Sequence, residues 1–238
     1  MTTTKPLISF KDIHLALGNK IILADLNFEI QSGEFLYVVG HTGAGKSSIL
    51  KMIYADCKPL KGNIAVEEFE VTNLKEKKIP FLRRKLGIIF QDFQLLPDRT
   101  VSDNIKFALR ATGWKDRIKI KNRISEVLIQ VGMAGKAHAL PHQLSGGEQQ
   151  RIAISRALIN YPLVIIADEP TGNLDPEATK NIMEILKKVH LAGTTIIIAT
   201  HEYNLLQKYP ARVIEVVDGR IRDYPDSSGF LTRKNYSL

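Results

Sequence analysis

Apolar and polar positions change period several times along this chain. Residues 7–30 alternate over short distances, as in LISF and LNFEI, and predict a pair of edge-type antiparallel strands. FLYVV (35–39) is apolar throughout and stops at a glycine-rich loop. That is how a parallel strand buried on both faces reads. A helix is predicted from Lys46 to about Tyr54. NIAVEEFEV (63–71) returns to alternation, and LGIIF (86–90) is a second buried strand. From Pro97 to Leu140 the period is helical and the composition charged, which suggests a helical subdomain inserted into the sheet domain. A further helix starts at Ser145. The strand LVIIAD (163–168), a helix over 176–190, the strand TIIIAT (195–200) and a last strand RVIEVV follow, ended by the Asp218–Gly219 turn.

Strands alternating with helices specify an α/β fold built on a mainly parallel sheet. The expected layout is one domain over residues 5–221. It carries an antiparallel β subdomain at its start and a helical subdomain at about 97–158. Residues 222–238 read as a polar tail, expected to be loosely ordered.

Composition narrows the function classes. The longest apolar runs are about five residues, far short of the roughly 18 a membrane helix needs. The first ten residues have no charged-then-apolar signal pattern. Cys57 is the single cysteine and cannot form an internal disulfide, which fits a cytosolic protein. The net charge of +8 admits nucleotide, nucleic acid or an anionic membrane face as partner. Lys75, Lys77, Lys78, Arg83, Arg84 and Lys85 crowd one stretch; Arg110, Lys115, Arg117, Lys119, Lys121 and Arg123 crowd another. Each is equally readable as a solvated face.

The chemistry sits at the strand ends. GHTGAGKS (40–47) fits G-x-x-x-x-G-K-[ST] and has a strand before it and a helix after it. Gly40, His41, Thr42, Gly43, Ala44 and Gly45 supply backbone N–H groups that can curl round phosphate oxygens, with Ser48 just inside the helix. Lys46 should reach the β- and γ-phosphates of a nucleotide, and the Ser47 hydroxyl should hold Mg2+. LVIIADE (163–169) ends a buried strand in two carboxylates. Asp168 suits Mg2+, and Glu169 is placed to take a proton from an attacking water. A second carboxylate directly after the metal ligand favours water over an acceptor substrate, hence a hydrolase over a kinase. His201 ends the strand TIIIAT, at the sheet edge where ligands bind in α/β folds, and suits a γ-phosphate. Gln91 ends LGIIF; a neutral amide there can bridge Mg2+ and water.

LSGGEQQ (144–150) raises a separate question. Ser145 can cap the helix that follows, and Gly146 and Gly147 allow close backbone approach. This is a second anion cradle, about a hundred residues after the first. It serves its own nucleotide, or that of a second copy in a head-to-tail pair. The plain alternative is a well-capped helix facing the core.

Together these motifs, with GNLD (172–175), resemble the ATP-binding-cassette (ABC) ATPases in content and order, over about residues 7–220. The resemblance implies ATP and Mg2+ as cofactors. It implies an ATP-dependent dimer in which Ser145, Gly146 and Gly147 contact the γ-phosphate held by the partner copy, with Asp175 crossing the interface. GIIFQDFQLLPDRTVSDN (87–104) and ADEPTGNLDPEAT (167–179) resemble the FtsE branch of cell-division ATPases within that family. Those work with an FtsX-like integral membrane protein and couple ATP hydrolysis to cell-wall hydrolases. The lipoprotein-release and macrolide-export ATPases are the nearest alternatives, and a soluble ABC ATPase acting on nucleic acid is a more distant one. With a single cassette and no long coiled coil, no nucleic acid is expected. The implied location is the cytoplasmic face of the inner membrane, with its anionic surface. Phe93, Leu95 and Leu96 would help receive the membrane partner, with Arg99 beside them. One departure stands out: family members carry an aromatic residue near Ala16 or Leu17 to stack on adenine, and this chain does not. Weaker discrimination of ATP from GTP is the expectation.

Overall fold

The computed structural model describes residues 5–18 and 20–235. The chain divides into two compact units. One runs up to Leu82 and resumes at Thr195; the other spans Arg83–Thr194.

In the first unit, β1 (Ile8–Leu17) and β2 (Lys20–Ile30) pair antiparallel, as the alternation predicts. β4 (Lys61–Val66) lies on the other side of β1 and carries β5 (Phe69–Glu70) outside it. Phe10 of β1 and Phe28 of β2 are directly opposed in the register and stack with ring centroids 4.4 Å apart. The run 63–71 is therefore a hairpin and not one strand. Glu67 turns the chain at φ 52°.

β3 (Phe35–Val39) lies between β8 (Thr195–Thr200) and β9 (Arg212–Val217), parallel to both. It feeds α1 (Lys46–Ile53). All six residues of β8 are buried, consistent with a strand covered on both faces.

β9 is not the last strand. The Asp218–Gly219 turn folds β10 (Arg220–Tyr224) back onto it, and α8 (Ser227–Asn235) follows. Residues 222–235 are thus not loosely ordered; 236–238 lie outside the described residues. The cause is an aromatic anchor in a polar context. Phe230 is fully buried, with its ring against Tyr224 (5.6 Å) and Tyr203 (5.4 Å) of the short helix α7 (Tyr203–Lys208). Ser227 Oγ accepts from the Ala211 N–H and donates to the Ala211 carbonyl. Arg212 joins Glu34 (2.8 Å) to Asp223 (2.6 Å), and these carboxylates hold its guanidinium above its ordinary pKa.

The second unit begins on α2 (Ile79–Arg84), whose last turn is basic. β6 (Leu86–Ile89) and β7 (Val164–Asp168) pair in parallel. Four helices accompany them: α3 (Val101–Ala111), α4 (Arg117–Gln130), α5 (Gly146–Leu158) and α6 (Pro176–Leu191). α5 lies so close to β6 that a Cβ at Gly87 would come within 2.6 Å of the Ala157 carbonyl. Each long helix is capped by its own sequence: Thr100, Asp116, Ser145 and Asp175 accept N–H groups of the first turns of α3, α4, α5 and α6. Arg123, buried on α4, closes the other end of α5 by donating to the Leu158 and Ile159 carbonyls.

Candidate functional site

The phosphate loop belongs to the first unit. β3 ends at Val39, and the chain must clear β9 before turning into α1. A Cβ at Gly40 would lie 2.7 Å from the Val216 carbonyl, so only glycine passes there. Gly45 precedes the helix at φ 104°, a left-handed conformation that costs glycine little. It caps α1 without a side chain, and no acid stands in the first turn. No side chain caps the N–H groups that begin α1, and the positive end of the helix dipole lies behind them. Lys46 is 6 % exposed. Its ammonium bends over the loop and donates to the carbonyls of Gly40 (3.0 Å) and His41 (3.2 Å). His41, Thr42 and Gly43 are exposed, and Ser47 and Ser48 half-buried. His201 enters at the same sheet edge: the register pairs Val39 with Thr200, so Gly40 and His201 leave adjacent parallel strands side by side.

The second unit carries the carboxylates. β6 and β7 pair Ile89 with Ala167, so Gln91 and the Asp168–Glu169 pair follow the same carboxyl ends. Glu169 has φ 48°, a left-handed value uncommon for a residue with a side chain. Strain of this kind persists where the surroundings enforce it. Here Glu169 O accepts from Gly172 N at 3.2 Å. Gln150, fully buried on α5, donates to the Pro170 carbonyl at 2.7 Å. The last residue of LSGGEQQ thus fixes the turn that follows Glu169.

Gln91 opens a loop with two consecutive left-handed residues, Phe93 (φ 53°) and Gln94 (φ 49°). Arg156 of α5 holds it, donating to the carbonyls of Phe93 (2.9 Å) and Gln94 (2.5 Å). Burial lowers the pKa of that guanidinium, and Asp92 opposes the shift. The loop's far end is tied by Asn104, which accepts from Leu96 N and donates to the carbonyls of Leu96, Arg99 and Thr100. Phe93, Leu95 and Leu96 are half-buried, and Arg99 lies over the Phe107 ring at 4.7 Å.

Ser145, Gly147 and Asp175 come together. They line a small cavity of about 160 Å³ with Arg151, Glu177 and Asn181. Ser145 and Glu148 form a reciprocal capping box: Ser145 Oγ accepts from Glu148 N (3.2 Å), and Glu148 Oε2 accepts from Ser145 N (2.9 Å). That N–H, with Lys136 at 3.4 Å, holds the Glu148 carboxyl below its usual range. Gly147 faces α6 so closely that an added Cβ would stand 2.8 Å from Ala178 Cβ. The Asp175 carboxylate caps α6 through Ala178 N at 2.8 Å.

Gln150, Arg151, Arg156 and Asn181 were not singled out by the motif reading. Arg156 had a signal, as the one charged residue of the mainly apolar run IAISRAL (152–158); Gln150 had none, since its neighbours Glu148, Gln149 and Arg151 are polar too. Arg151 and Asn181 had none short of the packing of α5 on α6.

Comparison with known proteins agrees with this geometry. Residues 23–172 match the family model for the ABC transporter. The chain is 46% identical over 216 residues to the cell division ATP-binding protein FtsE of Bacillus subtilis, covering 90% of this chain and 94% of that one. It is 42% identical to the protein of the same name from Escherichia coli, covering 90% and 97%. Among solved structures, it is similar to a dimeric ATP-binding cassette in a post-hydrolysis state bound to ADP and Pi. That match has a TM-score of 0.81 and 32% identity, over 92% of this chain and 98% of that one.

Proposed function

The chain belongs to the ABC transporter family, and from that premise we propose that it is the ATP-hydrolysing subunit of an FtsE-like membrane complex acting in cell division. The observation that carries the enzymatic part is the uncapped start of α1, with Lys46 buried over the loop that precedes it.

ATP binds along Gly40–Ser48, and the Lys46 ammonium exchanges two carbonyls for phosphate oxygens. The bond to an anion is the stronger one. The hydroxyl of Ser47, the carboxylate of Asp168 and the amide of Gln91 are hard oxygen donors of the kind Mg2+ takes. When bound, Mg2+ neutralises charge gathering on the phosphates. Glu169 accepts the proton of the attacking water, and its enforced backbone fixes where the carboxylate starts. His201 contacts the γ-phosphate. Ser145, Gly146, Gly147 and Asp175 serve the nucleotide of a second copy, so that ATP joins two chains and hydrolysis releases them. Ser145 accepts from Glu148 yet keeps its hydroxyl proton to donate to phosphate.

Among the described residues no helix is long and apolar enough to cross a membrane. The membrane part is then a separate, FtsX-like chain. It docks beside the Gln91 loop, at the half-buried Phe93, Leu95 and Leu96 and the neighbouring Arg99. The subunit works at the cytoplasmic face.

Glu169→Gln should slow turnover by about 10²–10⁴-fold, the usual effect of losing a positioned base, and leave ATP binding in place. Recovered from solubilised membranes with Mg-ATP, that variant should bring a membrane protein with an extracytoplasmic domain and division proteins. A drug-efflux or lipoprotein-release permease would refute the division role. Unchanged turnover would remove Glu169 from the base role.

A further inference from the structure

The second unit holds a basic feature that nucleotide chemistry does not use. Residues 110–121 contain five cations and one acid, Asp116. That acid is occupied: its carboxylate caps α4, accepting from the N–H groups of Ile118 (2.8 Å) and Lys119 (3.1 Å). Among the described residues Arg110, Arg117 and Lys121 make no ion pair, and Lys106 has only Asp103 at 3.8 Å.

These cations belong to the walls of a groove of about 700 Å³ between α3 and α4. Lys106 and Arg110 are one turn apart on α3, and Arg117 and Lys121 one turn apart on α4. No carboxylate lines the groove. Residues 112–116 turn α3 into α4, so the four cations gather towards that turn. Away from it the lining is mainly apolar, Ile124, Leu128, Ile129 and two alanines, with the hydroxyls of Ser102 and Ser125 and with His138 as the one titratable group. Ile129 is 67 % exposed there, and Ile118 near the turn 73 % exposed.

The groove is therefore polarised along its length, cationic at one end and apolar at the other. An acidic amphipathic helix would call for an apolar floor with cations along both flanks. A nucleic-acid strand would call for cations interleaved with aromatic platforms. We propose that the α3–α4 groove seats an anionic phospholipid, its phosphate among Arg110, Arg117, Lys106 and Lys121 and its acyl chain over Ile124, Leu128 and Ile129. The proposal rests on the membrane location inferred above, and it assigns the contact to a particular pair of helices.

The test uses the full chain alone, with vesicles of phosphatidylcholine with or without phosphatidylglycerol. Flotation measures binding, and Trp114, the single tryptophan, gives a second readout from within the turn. Binding should require phosphatidylglycerol. Arg117→Glu with Lys121→Glu should lower it on the order of tenfold or more, since each cation at an anionic surface contributes appreciably. Lys77→Glu with Lys78→Glu, in the other basic stretch, should change it little. Ile129→Asn, at an exposed position the fold tolerates, should weaken binding of soluble dihexanoyl-phosphatidylglycerol and leave glycerol phosphate unaffected. Equal binding to phosphatidylcholine, equal losses from both charge reversals, or glycerol phosphate binding as tightly as the short-chain lipid would each overturn the proposal. ATP hydrolysis by the same proteins separates the two readings. A wild-type chain that floats but does not hydrolyse ATP refutes the ATPase function and leaves the groove assignment standing. Normal hydrolysis without phosphatidylglycerol-dependent binding does the reverse.

Discussion

The starts of α1 and α5 are both glycine-rich helix N-termini, and they are built in opposite ways. α1 is left open: Gly45 caps it in a left-handed conformation with no side-chain acceptor, and Lys46 hangs over the loop on two carbonyls. α5 is closed by its own sequence, because Ser145 and Glu148 satisfy each other's N–H groups. A cradle without a side-chain cap leaves room for a ligand's acceptors. A closed one is already a stable helix end and has only the Ser145 hydroxyl proton and the glycine N–H groups to offer. The first arrangement suits a site that holds nucleotide by itself. The second suits a surface that adds contacts to a nucleotide another chain has bound.

The largest effect should fall on the open cradle. Lys46→Ala removes two charge-assisted bonds to phosphate and should weaken ATP binding on the order of a hundredfold, as titration calorimetry would show. ATP affinity within a few-fold of wild type would remove the distinction between the cradles. In the closed cradle, Gly147→Ala pushes a methyl group against Ala178 and should cost about 1–3 kcal/mol by overpacking. Denaturant unfolding should show the loss. Ala178→Gly in the same chain should restore most of it, and failure of that rescue would place the cost elsewhere.

Ser145→Ala should cost about 1 kcal/mol through the lost cap and leave ATP binding by the single chain intact. A fall in that affinity would mean the signature stretch serves its own nucleotide. The smallest effect concerns pH. The Glu148 carboxyl is held below its usual range by the Ser145 N–H and by Lys136. Its stabilising share is full above the ordinary carboxylate pKa and fades as pH falls through the lowered one. Glu148→Gln should flatten that part of the acid limb in a thermal melt, and an unchanged limb would assign it to other groups.

How legible each region was in the sequence follows from where its information lies. β3, β7 and β8 were readable because continuous apolar runs of four or five residues, bounded by turn or loop signals, have few other uses in a chain of this length. The phosphate loop was readable because its spacing between a strand and a helix is itself the signal, and Gly45 answers a local need, the left-handed turn into α1; the close approach of Gly40 to Val216 was not readable. β10 and α8 were missed because their order depends on one side chain, Phe230, in a polar stretch, and on a serine that bonds back to Ala211. The hairpin at 61–70 was hidden within the alternation of 63–71 because the turning residues, Glu67 and Glu68, carry no glycine or proline to mark them. The motif residues at strand ends were legible as chemistry. The side chains that hold them were not, since Gln150 and Arg156 act through partners 20 and about 60 residues away.

The central claim is that the closed cradle completes the site of a second copy. Ser145→Asp tests it most directly, because aspartate caps a helix as well as serine does but sets a negative charge where the phosphate would rest. Light scattering after size exclusion would compare Glu169→Gln with Glu169→Gln/Ser145→Asp, each with Mg-ATP and with Mg-ADP. The account predicts a doubled mass for Glu169→Gln with Mg-ATP alone, and a single-chain mass once Ser145 is aspartate. A doubled mass that survives Ser145→Asp, or one that forms equally well with Mg-ADP, would contradict it.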